Sequence, residues 1–295
     1  MITNYETNKV YIAKGLASPS YARAAYSLLT ALHNSQIKWE MLPLTQSPLH
    51  IWARDYMPVQ IEKNKFIRFR YEPDYLEHYP EYKPQVDDIL EKLGIEVYRS
   101  SINIDGGNII SCDNRVILTD KIFKENPQYS RRKLIDELTE LFNAEPVLIP
   151  WDRYEEYGHS DGTVRYIGEQ KVLLNHYFDF DKSLRKKYLK ALTAHFDVEE
   201  LHYGGHTNNS WAYINFLHTG NHIFVPMLDE KHDSTAFAQI EAVFPQCICH
   251  PIYNSKGIVK EGGALNCSSW NIMTDSATQN DKCDLPDVHK NIMIT

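Results

Sequence analysis

The chain has 295 residues, 43% of them apolar, enough for a substantial buried core. A formal charge of -8, with no basic run longer than Arg131-Arg132-Lys133 or Arg185-Lys186-Lys187, argues against a nucleic-acid partner. No apolar run reaches the roughly eighteen residues of a membrane span, and the first residues hold no signal-peptide core, so membrane insertion and secretion are not expected.

An alternating strand is predicted over 9–13, followed by Ser18-Pro19 as a helix cap with proline at the first helical position. The helix 20–33 places Ala25, Leu28, Leu29 and Leu32 on one face, and a strand over 37–44 follows. Trp52-Ala53-Arg54-Asp55-Tyr56-Met57-Pro58 then precedes two strand-like runs, 59–61 and 66–71. The same order recurs. A helix 84–93, stopped by Gly94, leads to a strand 95–98, to Asp105-Gly106-Gly107-Asn108 and to a hairpin. A helix 131–142, burying Leu134, Ile135, Leu138 and Leu141, leads to a strand 146–150 and to Gly158-His159-Ser160-Asp161. A helix 182–196, with Leu184, Tyr188, Leu192 and Phe196 in register, leads to a strand 199–202 and to Trp211-Ala212-Tyr213-Ile214-Asn215. The last helix, 234–244, leads through a strand 247–252 to Gly262-Gly263-Ala264-Leu265-Asn266-Cys267.

Asp55, Asp105, His159, Asn215 and Cys267 thus follow one another at intervals of about 50 to 56 residues. Each period holds a helix, a strand, a polar motif and a hairpin, the pattern of a ring of supersecondary modules. One module is split between the two ends of the chain. The five motifs are expected to converge on the ring axis, in a single domain over 1–295.

Convergence brings together chemistry that no motif holds alone. Cys267 is a sulfur nucleophile, His159 an acid/base and Asp105 an acid able to orient the imidazole. Asp55 and Asp161 are acceptor-only carboxylates, and Asn215 is either a neutral site residue or an ordinary hydrogen-bonded strand residue. Two enclosed carboxylates demand a cation, and a planar guanidinium answers them with paired hydrogen bonds. Arg54 and Arg165 read as structural partners of the carboxylates. Trp211 reads as a core aromatic. The five cysteines, Cys112, Cys247, Cys249, Cys267 and Cys283, are odd in number and dispersed, so free thiols in a reducing, cytoplasmic setting are expected. Cys247-Ile248-Cys249-His250 has no second ligand pair at zinc-site spacing, and no metal is expected.

These motifs together resemble the guanidino-group modifying enzymes, most closely the agmatine deiminase and Porphyromonas-type peptidylarginine deiminase family. The residues that carry it are Trp52 to Asp55, Asp105 to Asn108, Gly158 to Asp161, Tyr213 to Phe216 and Gly262 to Cys267, in the family order. The resemblance implies an α+β pentein, a five-bladed propeller of pseudo-fivefold ββαβ units around a central cavity. It also implies a deiminase acting on agmatine or an arginine derivative, without a cofactor. Cys267 would attack the guanidinium carbon, Asp55 and Asp161 would grip the group, and His159 would protonate the leaving nitrogen and then activate water. Trp52 would line the site and stack on the cation. A small guanidino molecule is the partner implied, and a homo-oligomer is compatible with the sequence.

The chain departs from the family pattern at four places, one of them Ser268-Ser269-Trp270 where Thr-Gln commonly follows the nucleophile. Asn266 stands where histidine commonly precedes the nucleophile, Asp105 where glutamate is usual, and Met57 where glycine is usual. A peptidylarginine deiminase, an amidinotransferase on the same site and a non-catalytic binding protein of this fold are the alternatives.

Overall fold

The computed structural model describes residues 1–43 and 51–275, so the end of the strand expected over 37–44, and Cys283, lie outside the described residues. The strands are β1 (Lys9–Ile12), β2 (Lys38–Met41), β3 (Val59–Glu62), β4 (Lys65–Arg70), β5 (Tyr98–Asn103), β6 (Ile110–Cys112), β7 (Arg115–Thr119) and β8 (Glu145–Ile149). They continue as β9 (Val164–Gly168), β10 (Lys171–Leu174), β11 (Asp197–Glu200), β12 (Leu217–Thr219), β13 (His222–Pro226), β14 (Ile248–Ile252) and β15 (Ser269–Ile272). They form five three-stranded sheets: β3-β4-β5, β6-β7-β8, β9-β10-β11, β12-β13-β14 and β15-β1-β2.

Every sheet is built the same way. A hairpin gives an antiparallel pair, and its second strand then pairs in parallel with a third strand reached through a helix. The longer helices are α1 (Ala22–Asn34), α2 (Val86–Leu93), α3 (Arg131–Phe142), α4 (Lys182–Leu192) and α5 (Asp233–Val243). In the fifth sheet the hairpin partner comes from the far end of the chain: Tyr11 sits opposite Trp270 and Ile12 opposite Ser269. This is the split ββαβ module the repeat predicted.

The middle strands carry the core. Val10 and Ile12, Val116 to Leu118, Val172 to Leu174 and Ile223 to Val225 are fully buried, as strands covered on both faces must be. Each helix adds one apolar stripe, such as Leu28, Leu29 and Leu32 of α1 or Leu134, Leu138 and Phe142 of α3.

Several expected boundaries move, each for a local reason. Helix α1 starts at Ala22 because the Ser18 carbonyl accepts the Tyr21 N–H at 3.0 Å in a preceding turn, so Ser18-Pro19 is no cap. Strand β5 runs Tyr98–Asn103, later than 95–98. It is an edge strand whose burial is confined to Ile102 and Asn103 and its half-buried Ser100, so its polar residues hide it from pattern reading. Ile135 and Leu141 of α3 are half-buried, and Phe142 takes the core position. Helix α4 stops at Leu192, leaving Phe196 buried beyond its end, and β11 begins at Asp197 where 199–202 was expected.

Candidate active site

Each motif immediately precedes the hairpin of its module, on a short turn. Asp55 lies in the single helical turn Ala53–Tyr56, Asp105 caps the 3-10 turn Gly106–Asn108, and Asn215 caps the 3-10 turn Ser210–Ile214. Asn215 is therefore not a strand residue. The turns are hydrogen-bonded to one another round a closed circuit. The Gly107 N–H donates to Asp55 Oδ1 at 3.0 Å, and the Asp161 N–H donates to the Gly107 carbonyl at 3.0 Å. Asn175 Nδ2 joins the carbonyls of Gly162 and Trp211 at 2.9 and 3.0 Å. The Asn266 N–H donates to the Asn215 carbonyl at 3.1 Å, and the Arg54 N–H donates to the Cys267 carbonyl at 2.9 Å.

Two glycines let this circuit close. A Cβ on Gly107 would stand 2.6 Å from both Asp55 Oδ1 and His159 Nδ1, and one on Gly263 would stand 2.3 Å from the Trp52 ring.

Inside the ring, His159 Nε2 is 2.9 Å from Asp105 Oδ2 and its Nδ1 is 3.6 Å from Asp55 Oδ1. Asp105, one methylene shorter than glutamate, still reaches the imidazole. Cys267 Sγ lies 3.5 Å from Asp161 Oδ2 and 3.3 Å from Asn215 Oδ1, which also accepts the Cys267 N–H at 3.3 Å. Asn266 donates its Nδ2 to Asp161 Oδ2 at 2.7 Å, so the residue that departs from the family pattern anchors one of the two carboxylates. Met57 is buried in the largest apolar cluster.

Burial controls the charges. It raises the Cys267 thiol well above its ordinary value, and Asp161 and Asp55 add to the rise, so the sulfur is a thiol facing a carboxylate. Asp55 is lifted to about 7 by desolvation, against the attraction of His159. Burial opposes a charge on His159, but Asp55, Asp105 and Glu155 outweigh it and hold the imidazole protonated, to about 10.

Two chambers meet at this point, and His159, Cys267, Glu156, Tyr157 and Gly262 line both. One, of about 460 Å³, extends past Asp161 and Asn215 toward His176, Phe180 and His206. The other, of about 490 Å³, holds Trp52 and Asp55 and is walled by Tyr71, Tyr75, Tyr79 and Tyr82. Trp52 is half-buried against Gly263, and Trp211, half-buried against a core cluster as its reading as a core aromatic expected, also lines the first chamber.

Sequence reading missed a supporting set. Tyr75 donates to Asp105 Oδ2 at 2.8 Å. The Glu155 carboxylate accepts the N–H groups of Tyr157, Gly158 and His159 at 2.9, 2.6 and 3.3 Å, fixing the turn that carries the imidazole. Buried Lys121 donates to the Tyr157 carbonyl at 2.8 Å and pairs with Asp74 and Glu125, each at 2.9 Å. An acid three residues ahead of Gly158 was a readable signal for Glu155; nothing local marks Tyr75 or Lys121.

A protein of Vibrio parahaemolyticus named "Putative agmatine deiminase" is 24% identical over 234 residues, which span 64% of this chain and 64% of that relative's length, less than two thirds of it. The agmatine deiminase of C. jejuni superposes with a TM-score of 0.73 at 16% identity, covering 92% of this chain and 95% of the other. That of Enterococcus faecalis gives 0.69 at 15% identity, covering 93% and 95%. The fold shared with these structures is the pentein fold. The model of the Porphyromonas-type peptidyl-arginine deiminase family matches residues 1–272, and the chain belongs to that family.

Proposed function

We propose that this protein hydrolyses a guanidino group, releasing ammonia and leaving a ureido product, through a covalent intermediate on Cys267. The observation that carries this reading is the shared cavity: a buried sulfur, an imidazole and the carboxylates of Asp55 and Asp161 open onto one junction.

Chemistry follows from the charges. A planar guanidinium placed between Asp55 and Asp161 donates its N–H groups to both carboxylates and replaces the solvation they lack. Its positive charge also cancels the field that keeps Cys267 protonated, so substrate binding itself favours the thiolate. The thiolate adds to the central carbon, and the C–N bond breaks as His159 gives its proton to departing ammonia. His159, now neutral, takes a proton from water, which adds to the amidino-thioether carbon. The C–S bond then breaks as the added hydroxyl becomes the carbonyl of the ureido product and its proton passes to the departing sulfur, restoring the thiol. Asp105 and Tyr75 hold the imidazole in place throughout.

The chambers bear on the substrate's tail. Among the described residues no lysine or arginine lines either of them, whereas Asp152, Glu155, Glu156 and Glu261 do. A tail carboxylate would meet no lysine or arginine of the described residues there, and would face three of these acids in the first chamber or two in the second. The favoured substrates are therefore agmatine or an arginine whose carboxylate is blocked, ahead of free arginine. Exposed Tyr154 and Phe180, with ring centroids 5.3 Å apart beside the first chamber, supply a surface for a bulkier, peptide-linked tail.

A panel of agmatine, free arginine and arginyl peptides, scored by mass spectrometry for the ureido product, tests this reading. Product from agmatine or the peptides, in excess over free arginine, is expected. Turnover of free arginine alone would refute the tail assignment, and a guanidinylated amine in place of the ureido product would make the protein an amidinotransferase. No reaction with any member, together with no labelling of Cys267 by iodoacetamide, would leave a non-catalytic binding protein.

A further inference from the structure

A third cavity, of about 70 Å³, lies behind the motif residues and shares no lining residue with either chamber. Arg54, Gly106 and Asn266 form part of its wall, so it backs directly onto three of the motifs. Its composition is opposite to theirs. Arg54 and Arg165 are its charged side chains, Met1 also lines it, and no carboxylate of the described residues does.

Both arginines carry unused donors. Arg165 is 2% exposed, with its guanidinium 4.8 Å from the Phe216 ring, and its Nη2 has no hydrogen-bond partner among the described residues. Arg54 gives Nη2 to Asn271 Oδ1, while its Nε is buried without a partner. Ser111 Oγ, on β6, is also buried without one and lines the same cavity. Buried donors left without an acceptor are costly, and on guanidinium groups more so. The two cations also act on each other. Burial pulls Arg165 down to about 10, Asp161 works against that pull, and Arg54 adds to it.

Water would satisfy the donors and leave the paired positive charge in place. An anion would answer both, and the cavity limits its size. We propose that this cavity binds a small monovalent inorganic anion of halide size, held by the guanidinium groups of Arg165 and Arg54 and by Ser111. The site stands whether or not the deiminase reading does, because it uses none of the residues assigned to that reaction.

Bromide is the probe, with the full chain. Thermal unfolding is followed as sodium bromide replaces sodium gluconate at constant ionic strength, and crystals grown in bromide are measured at its absorption edge. The midpoint is expected to rise with bromide and saturate, and one anomalous peak is expected within contact of the Arg165 guanidinium. Ser111→Ala is expected to raise the half-saturating bromide concentration about tenfold, the size of one hydrogen bond to a charged group. Equal midpoints in the two salts, an anomalous peak without any change in midpoint (an adventitious ion only), or ordered water in the cavity would each overturn the proposal. The wild-type crystal measurement decides the matter even if Ser111→Ala fails to fold.

Discussion

His159 and Asp55 both hold protons more tightly in the fold than in an unfolded chain, His159 to about 10 and Asp55 to about 7. For His159 the stabilisation is complete below its ordinary value of 6.5 and is lost as pH rises through about 10. For Asp55 it is complete below 3.8 and is lost as pH rises through about 7. Both contributions therefore fall with rising pH. The ligand-free protein is expected to melt at a lower temperature at about pH 9 than at about pH 6, and His159→Gln is expected to flatten that slope. A wild-type midpoint that rises with pH, or an unchanged slope in the variant, would contradict the charge assignment. Asp105→Asn removes the acceptor at 2.9 Å from His159 Nε2, and kcat is expected to drop about a hundredfold with little change in KM. A rise in KM alone would show that Asp105 acts in binding instead. These residues were legible in the sequence because their side-chain chemistry is rare in combination. Asn266 was legible only as a departure, since its role depends on a carboxylate more than a hundred positions away.

Among the elements, the turn at 155–159 is held from two sides, by Glu155 on its N–H groups and by Lys121 on the Tyr157 carbonyl. Lys121 is 1% exposed and compensates Asp74 and Glu125. Lys121→Met would leave buried Glu125 without its cation, and a loss of roughly 3–5 kcal/mol in unfolding free energy by denaturant titration is expected. A loss under about 1 kcal/mol would mean that the ion pairs are not what holds this turn. Gly107→Ala is expected to abolish turnover while the melting transition stays cooperative, because the new methyl collides with Asp55 and His159. Activity within about twofold of wild type would show that the turn can shift without cost. Helices α1 to α5 were legible because each buries one stripe at helical spacing. Strand β5 was displaced, expected over 95–98 and found at Tyr98–Asn103, because its mostly exposed polar residues carry no apolar alternation.

For the whole molecule, the repeat mattered more than any element. A period of about 50 residues predicted five modules, and the incomplete pattern at each end predicted that β15 would pair with β1. The walls of the chambers were not readable, because they are assembled from loops of different modules that have no common period. Closure is reinforced where Asn271 Nδ2 donates to Thr7 Oγ1 and to the His218 carbonyl, each at 2.9 Å, tying both ends of the described chain to the fourth module. Removing residues 1–13 deletes the middle strand of the split sheet, and the product is expected to lack a cooperative unfolding transition. A truncated protein that melts cooperatively near the wild-type temperature would refute the closed ring as the source of stability. The account as a whole turns on the sulfur at position 267 forming a bond to a guanidinium carbon. Acid quenching during turnover of agmatine, followed by peptide mass analysis, measures that bond directly. An amidino adduct on the peptide carrying Cys267, absent from the Cys267→Ala protein along with all product, is predicted; ureido product from the Cys267→Ala protein would contradict it.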